Sequence, residues 1–204
     1  MLTMVVKTKT MISSVSKYCT DLLTTSKCKE LPFHNLEHTK EVVQNVKYLC
    51  AAMDINEQDT EVLLVAAWFH DTGFSMTYKG HEDQSKFIAT TSLKEQKAGK
   101  SFIDKVCNCI DATKMPQCPT NNLAEVLCDA DIFHISNSHF FYRKLLLRRE
   151  WELFCDNKVA DLDWHMLNLE FLKKHHFRTN YGKDILEQGK QENIEKVERI
   201  LDFY

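Results

Sequence analysis

Five glycines and three prolines in 204 residues leave little of the punctuation that a chain of short strands and tight turns requires. Helices must therefore dominate. Apolar residues recur at helical spacing in MISSVSKYCTDLL, HTKEVVQNVKYLCAAM, EVLLVAAWFH, EDQSKFIATTSLKE and SFIDKVCNCIDATK, then in NLAEVLCDADIFHI, HFFYRKLLLRREWELFCDN, DWHMLNLEFLKKHH and DILEQGKQENIEKVERILDF. Pro32, Asn56 as an N-cap, Gly73, Pro116, Pro119 and Gly182 mark boundaries between them. No linker, repeat or low-complexity run divides the chain. The expectation is an all-α fold of about nine helices. It forms one compact multi-helix bundle over residues 1–204, with a motif core at about 30–135 and the C-terminal helices 137–204 packed on it.

A chain of this length buries most of its apolar surface without covalent staples. The eight cysteines, at 19, 28, 50, 107, 109, 118, 128 and 155, contain no Cys-x-x-Cys pair and mostly fall in apolar helical stretches, so they read as reduced core residues. Acidic and basic residues nearly cancel, 29 against 26, which excludes a global field for nucleic acid or a membrane surface. The longest apolar run, VLLVAAWF at 62–69, is far short of the ~18 residues of a membrane span. MLTMVVKTKT has no long apolar signal region. A soluble, cytoplasmic protein with no membrane segment is expected. The apolar stretch ISNSHFFYRKLLL suits either a core or a homo-oligomer interface.

The chemistry concentrates in three places. In the helix beginning near Asn35, the inward stripe runs through Val42, Val46, Leu49 and Met53. Stepping back four residues at a time reaches His38 and then His34, so both histidines extend the buried stripe. The second place is the end of VLLVAAWFHDTG, where a segment apolar nearly all round closes on His70 and Asp71. Histidine suits a helix C-terminus and Gly73 suits an ordinary C-terminal stop, but Asp71 beside the negative end of a buried helix requires a cation or strong donors. The third is LAEVLCDADIFHI, where Ala124, Leu127, Cys128 and Ile135 share a face with Asp131. Asp129 lies about 200° away, so only Asp131 of the pair is expected to point inward.

His38, His70, Asp71 and Asp131 together make an imidazole and carboxylate set suited to one divalent ion such as Zn, Mn, Fe or Mg. Four protein ligands leave positions open for water and a phosphate oxygen, and water activated there becomes a nucleophile near neutral pH.

The order His, then His-Asp, then Asp resembles the HD-domain metal-dependent phosphohydrolases, across roughly residues 30–135. HNLEHTKEVVQ also resembles the His-Asn-x-x-His signature of cyclic-nucleotide phosphodiesterases. That resemblance implies His38 as a metal ligand and His34 as the general acid that protonates the leaving oxygen. AAWFHDTGF, GHEDQSKFIA, CIDATKMP, LCDADIFHI, LRREWELF and HHFRTNYG are similar to the HD portion of the bacterial Pycsar-effector family, in which such a domain precedes a membrane-spanning region. This chain corresponds to the HD portion alone, as a stand-alone relative or as a piece of a longer protein.

Two departures shape what the resemblance implies. Phosphodiesterases carry a further histidine shortly after His-Asp, and some HD nucleotidases carry a glutamate three residues after the aspartate. Here Thr72, Gly73, Phe74 and Ser75 follow, with Phe74 at the glutamate position. The implied site is a one-metal site, and Glu82 in GHEDQS is the nearest substitute for orienting water. Lys114 in DATKMP, Arg148 in LLLRREWEL and Arg178 in HHFRTNYG are the candidates for holding phosphate; each also suits a solvated helix end or face, and Arg148 has Glu152 four residues on. His81, eleven residues after His70, is a further residue that could join the site through a loop, although no spacing rule directs it inward. The function expected is hydrolysis of a nucleotide-like phosphate ester, a cyclic nucleotide or nucleoside monophosphate. The alternative is a non-catalytic metal- and nucleotide-binding sensor module of a bacterial signalling or defence system.

Overall fold

Each of the nine periodic stretches becomes one helix in the computed structural model, which describes the backbone of residues 2–204 and the side chains of residues 11–204. The helices are α1 (Leu2–Thr25), α2 (Leu36–Ala52), α3 (Glu57–Phe69), α4 (His81–Glu95) and α5 (Lys100–Ala112), followed by α6 (Asn122–Asp131), α7 (Phe140–Phe154), α8 (Asp161–Lys174) and α9 (Glu187–Leu201). Among the described residues there is no strand, as the all-α expectation requires. No helix of the described residues is long and apolar enough to cross a membrane. The chain forms two units, Met1–Asp131 and Ile132–Tyr204.

In the first unit α3 is the central helix. Every residue from Val62 to Phe69 is buried, and α3 packs against α1, α2, α4, α5 and α6. Each large apolar side chain there contributes roughly 1.5–3 kcal/mol of burial, which anchors the helix end that carries His70. On α2, Val42, Val46 and Leu49 are buried as the stripe predicts. Met53 departs from that stripe: it is the C-cap, half-buried, because the helix has already ended. Asn56 caps α3 as predicted, its side chain accepting from the Asp59 amide at 3.0 Å.

Two expectations about this unit are corrected. Asp129 also points inward and is fully buried, because α6 packs against α2, α3 and α5 and keeps almost no solvent face. Gly73 is no C-terminal stop: it lies inside a short 3-10 turn, Thr72–Ser75, at a close approach to α4. A Cβ there would stand 1.8 Å from the His81 carbonyl oxygen and 2.7 Å from the Ser85 amide nitrogen, so only glycine fits. The Gly73 amide donates to Ser85 Oγ at 2.8 Å, which seals the contact.

The second unit contains α7, α8 and α9. Gly182 marks no boundary; it is buried at the start of a π-helical turn, Gly182–Leu186, that runs directly into α9. Gly189 is the close approach in this unit, where a Cβ would meet the Ser136 carbonyl at 1.9 Å. Asn193 fixes the same junction by donating to the carbonyls of Ile135 and Asn137, both at 2.9 Å. None of the eight cysteines forms a disulfide, and five of them are buried.

Candidate metal centre

Asn35 builds the approach to the centre. Its Oδ1 accepts from the amides of Glu37 and His38 at 2.9 and 3.3 Å, while its Nδ2 donates to the carbonyls of Leu31 and Pro32 at 2.8 and 3.0 Å. One side chain thereby caps α2 and fixes the turn bearing His34, which a serine or aspartate cap would not do. At the end of α3, the His70 Nδ1–H donates to the Ala67 carbonyl at 2.8 Å. That bond turns Nε2 and its lone pair toward the centre. Asn45 on α2 donates to the Ala130 carbonyl at 3.0 Å and so holds the end of α6, where Asp131 emerges.

The four groups converge. His38 Nε2 lies 3.1 Å from Asp131 Oδ1, 3.4 Å from Asp71 Oδ2 and 3.5 Å from His70 Nε2. His70 Nε2 lies 3.2 Å from Asp71 Oδ2 and 3.6 Å from Asp131 Oδ1. His38, His70 and Asp71 are buried, and Asp131, with a side chain 16% exposed, is the group of the four most open to solvent.

Two features of this cluster call for a cation. Asp71 Oδ2 is buried without a hydrogen-bond partner, which costs on the order of 1–3 kcal/mol or more for a charged acceptor. The observed spacings of 3.1–3.6 Å also match the donor-to-donor edges of about 3.0–3.5 Å that metal–ligand bonds of ~2.1 Å produce. His38, His70 and Asp71 make a group that could hold a metal ion.

The electrostatics agree. Burial pushes the His38 imidazole below its ordinary value despite Asp131 and Asp71 beside it. For His70 burial acts in the same direction, but Asp71 and Asp131 together outweigh it and hold the imidazole well above its ordinary range. Burial alone would raise both carboxylates; the facing histidines reverse this and hold Asp71 and Asp131 well below the usual carboxylate range.

Beside this cluster stands a second layer that the spacing did not reveal. Phe74, 3% exposed, stacks on the His34 ring at 4.3 Å and on the His81 ring at 3.7 Å between centroids. His34 is half-buried, its ring 6.0 Å from that of His38. His81 Nδ1 donates to the Tyr78 carbonyl at 3.2 Å, leaving Nε2 3.5 Å from Asp71 Oδ1. Burial lowers the His81 pKa, but Asp71 and then Glu82 more than compensate and raise it. The signal that could have found His81 is Gly73, whose missing Cβ lets the first turn of α4 approach the His-Asp turn.

Glu82 is buried, with Oε2 3.7 Å from His81 Nδ1. Lys114 is exposed and faces Asp83 Oδ2 at 3.7 Å. Arg148 and Arg178 belong to the second unit; Arg148 pairs with Asp161 at 2.8 Å and lies 3.7 Å from Glu152, and Arg178 is half-buried.

Among families of known proteins, the HD domain model matches residues 35–136, a span that begins at the α2 cap and includes all four converging groups. No curated protein and no solved structure matches the chain.

Proposed function

The chain belongs to the HD domain family, a superfamily of metal-dependent phosphohydrolases, and from that premise we propose that it hydrolyses a nucleotide-like phosphate ester. The observation that carries the reading is the orphaned Asp71 Oδ2, buried against the Nε2 atoms of His38 and His70. His38, His70, Asp71 and Asp131 would hold the ion. When bound, a divalent ion supplies Lewis acidity toward the phosphoryl oxygens and lowers the pKa of water.

The remaining work falls to the chain's own side chains. His34, supported on Phe74 and adjoining the centre, donates the proton that the leaving oxygen needs. Glu82 and His81 orient the attacking water from the side of Asp71 Oδ1. Lys114 draws the phosphate; its present partner, Asp83, is an exposed ion pair worth about 0–1 kcal/mol and easily exchanged.

Cyclic nucleotides and nucleoside monophosphates are the substrates we propose, on the His34-Asn35-x-x-His38 phrase and on the likeness of GHEDQSKFIA and LCDADIFHI to the Pycsar-effector HD portion. Eight cysteines held as thiols support a cytoplasmic setting. One observation favours the alternative, a nucleotide-sensing module of a bacterial signalling or defence system: a buried Phe74 occupies the position where HD nucleotidases place a catalytic glutamate.

Elemental analysis of protein purified without chelator, followed by a screen of the metal-loaded enzyme against cyclic and linear nucleotides, separates the two. Near-stoichiometric metal with cleavage lost in His34→Ala supports the hydrolase. Metal with no turnover of any nucleotide transfers the assignment to the sensor, and wild-type protein without metal overturns both.

A further inference from the structure

The second unit holds a buried cation with no anion to meet it. Lys144, on α7, is 5% exposed. Its Nζ has one polar partner, His165 Nδ1 on α8, at 3.1 Å. Its other neighbours are the faces of Phe140 and Phe141, whose centroids lie 5.7 and 4.9 Å away. An ammonium carries three N–H donors, so two are without a protein acceptor. A buried charge of this kind is retained only where something compensates it.

Arg148 stands one turn further along the same face of α7. Its Nη2 is committed to the Val159 carbonyl at 2.5 Å and to Asp161 at 2.8 Å. Its Nε is buried and without a hydrogen-bond partner, since Glu152 Oε1 at 3.7 Å is too far. Lys144, Arg148 and His165 thus face one another with two carboxylates beside Arg148, Asp161 at 2.8 Å from Nη2 and Glu152 at 3.7 Å from Nε; the first already meets Nη2, and the second is shared with Arg149.

We infer that Lys144, Arg148 and His165 form a binding site for a phosphate-type oxyanion, made wholly of residues of the second unit. Such an anion offers several acceptor oxygens, enough to take the two spare Lys144 donors and Arg148 Nε together, which a single carbonyl would not. The charge state is suitable: burial, then Arg148, push Lys144 down to about 8, so it remains mostly protonated at neutral pH. The same phosphate chemistry is presented by free inorganic phosphate and by a nucleoside monophosphate. The inference does not depend on turnover at the metal centre.

The test uses the full chain stripped of metal with chelator, so that the metal centre takes no part. Inorganic phosphate, and separately a nucleoside monophosphate, is titrated while the His165 ring and Lys144 Cε resonances are followed, with chloride at matched ionic strength as control. Saturable movement of both residues is expected, with affinity about tenfold weaker in Lys144→Met and in Arg148→Met and unchanged in His70→Ala. Saturation by the monophosphate alone assigns the site to a phosphate ester, and saturation by both assigns it to phosphate itself. Resonances that do not move, that move equally with chloride, or that report the wild-type affinity in both α7 variants overturn the site. Arg148 is the more exposed side chain, so its variant carries the test if Lys144→Met does not fold.

Discussion

The metal centre and the Lys144 cluster are both places where charge is buried without its complement, and they differ in sign. In the first, the orphan is an acceptor, Asp71 Oδ2, and two imidazoles face it. In the second, the orphans are donors, on Lys144 Nζ and Arg148 Nε. Elsewhere the chain completes its buried charges: Lys190, 1% exposed, reaches both Glu187 and the His175 carbonyl. Lys190 is thus a buried charge met by hydrogen-bonding partners from within the protein, whereas Asp71 Oδ2 and Arg148 Nε have no hydrogen-bond partner.

The largest effects should come from removing a converging group. His70→Ala and Asp131→Ala are each expected to abolish stoichiometric metal and to lower phosphate-ester cleavage by at least ~10²-fold, measured by elemental analysis and steady-state rates. The metal-free protein sharpens this through pH. The His70 pKa is raised in the fold, so a proton there stabilises the folded state below the ordinary value of 6.5, and that stability is lost as pH rises through the raised value. Metal binding needs the same nitrogen deprotonated and strengthens with pH. The midpoint of chelated protein should therefore fall as pH rises above 6.5 while the gain in midpoint on adding metal grows. A gain independent of pH would show that His70 does not bind the ion.

Next in size are the two glycines at close approaches, which make a matched pair. Gly73→Ala and Gly189→Ala each drive a Cβ against a backbone carbonyl, at 1.8 and 1.9 Å, and should each cost roughly 1–3 kcal/mol in denaturant unfolding. Only Gly73→Ala should weaken metal binding, because the displaced backbone is that of His81, next to Asp71. Equal metal affinity in the two variants would show that α4 does not shape the centre.

The same pair shows where sequence reasoning succeeds and stops. The nine helices were legible because periodic apolar stripes and near absence of glycine and proline act locally, and His38 and His70 were legible as extensions of those stripes. Asp129 misled because a face is counted as wet or dry for one helix in isolation, whereas α6 is covered from several sides. His81 was legible only as a residue that could reach the site through a loop, because what draws it toward Asp71 is a contact between backbones across Gly73, and Lys144 was not legible because a single lysine in the apolar stretch ISNSHFFYRKLLL carries no spacing signal for its burial.

Asn35 offers a smaller and more selective break. Asn35→Asp keeps the acceptor for the Glu37 and His38 amides but loses the donor to Leu31 and Pro32, whereas Asn35→Ala loses both. The alanine variant should cost about 1 kcal/mol as a lost cap. Both should lower kcat more than they alter metal content, since the turn they release carries His34 and leaves His38 on α2. If the aspartate variant retains full kcat, the donor to Leu31 and Pro32 does not position His34.

The smallest effect is a gain in stability. Lys144→Met keeps the apolar stem over Phe140 and Phe141 and removes a buried ammonium, so in phosphate-free buffer at pH 7 the midpoint should rise by about 3 °C. The sign follows from linkage: the Lys144 pKa falls from 10.5 to about 8 in the fold, so between those values the unfolded chain binds more protons and wild-type stability increases with pH. The advantage of the methionine variant should therefore be full below pH 8 and shrink as pH approaches 10.5. Phosphate should erase the same advantage at pH 7 by supplying the charge that wild-type Lys144 lacks, whereas a methionine variant less stable than wild type at pH 7 without phosphate would mean that Lys144 is already compensated within the protein.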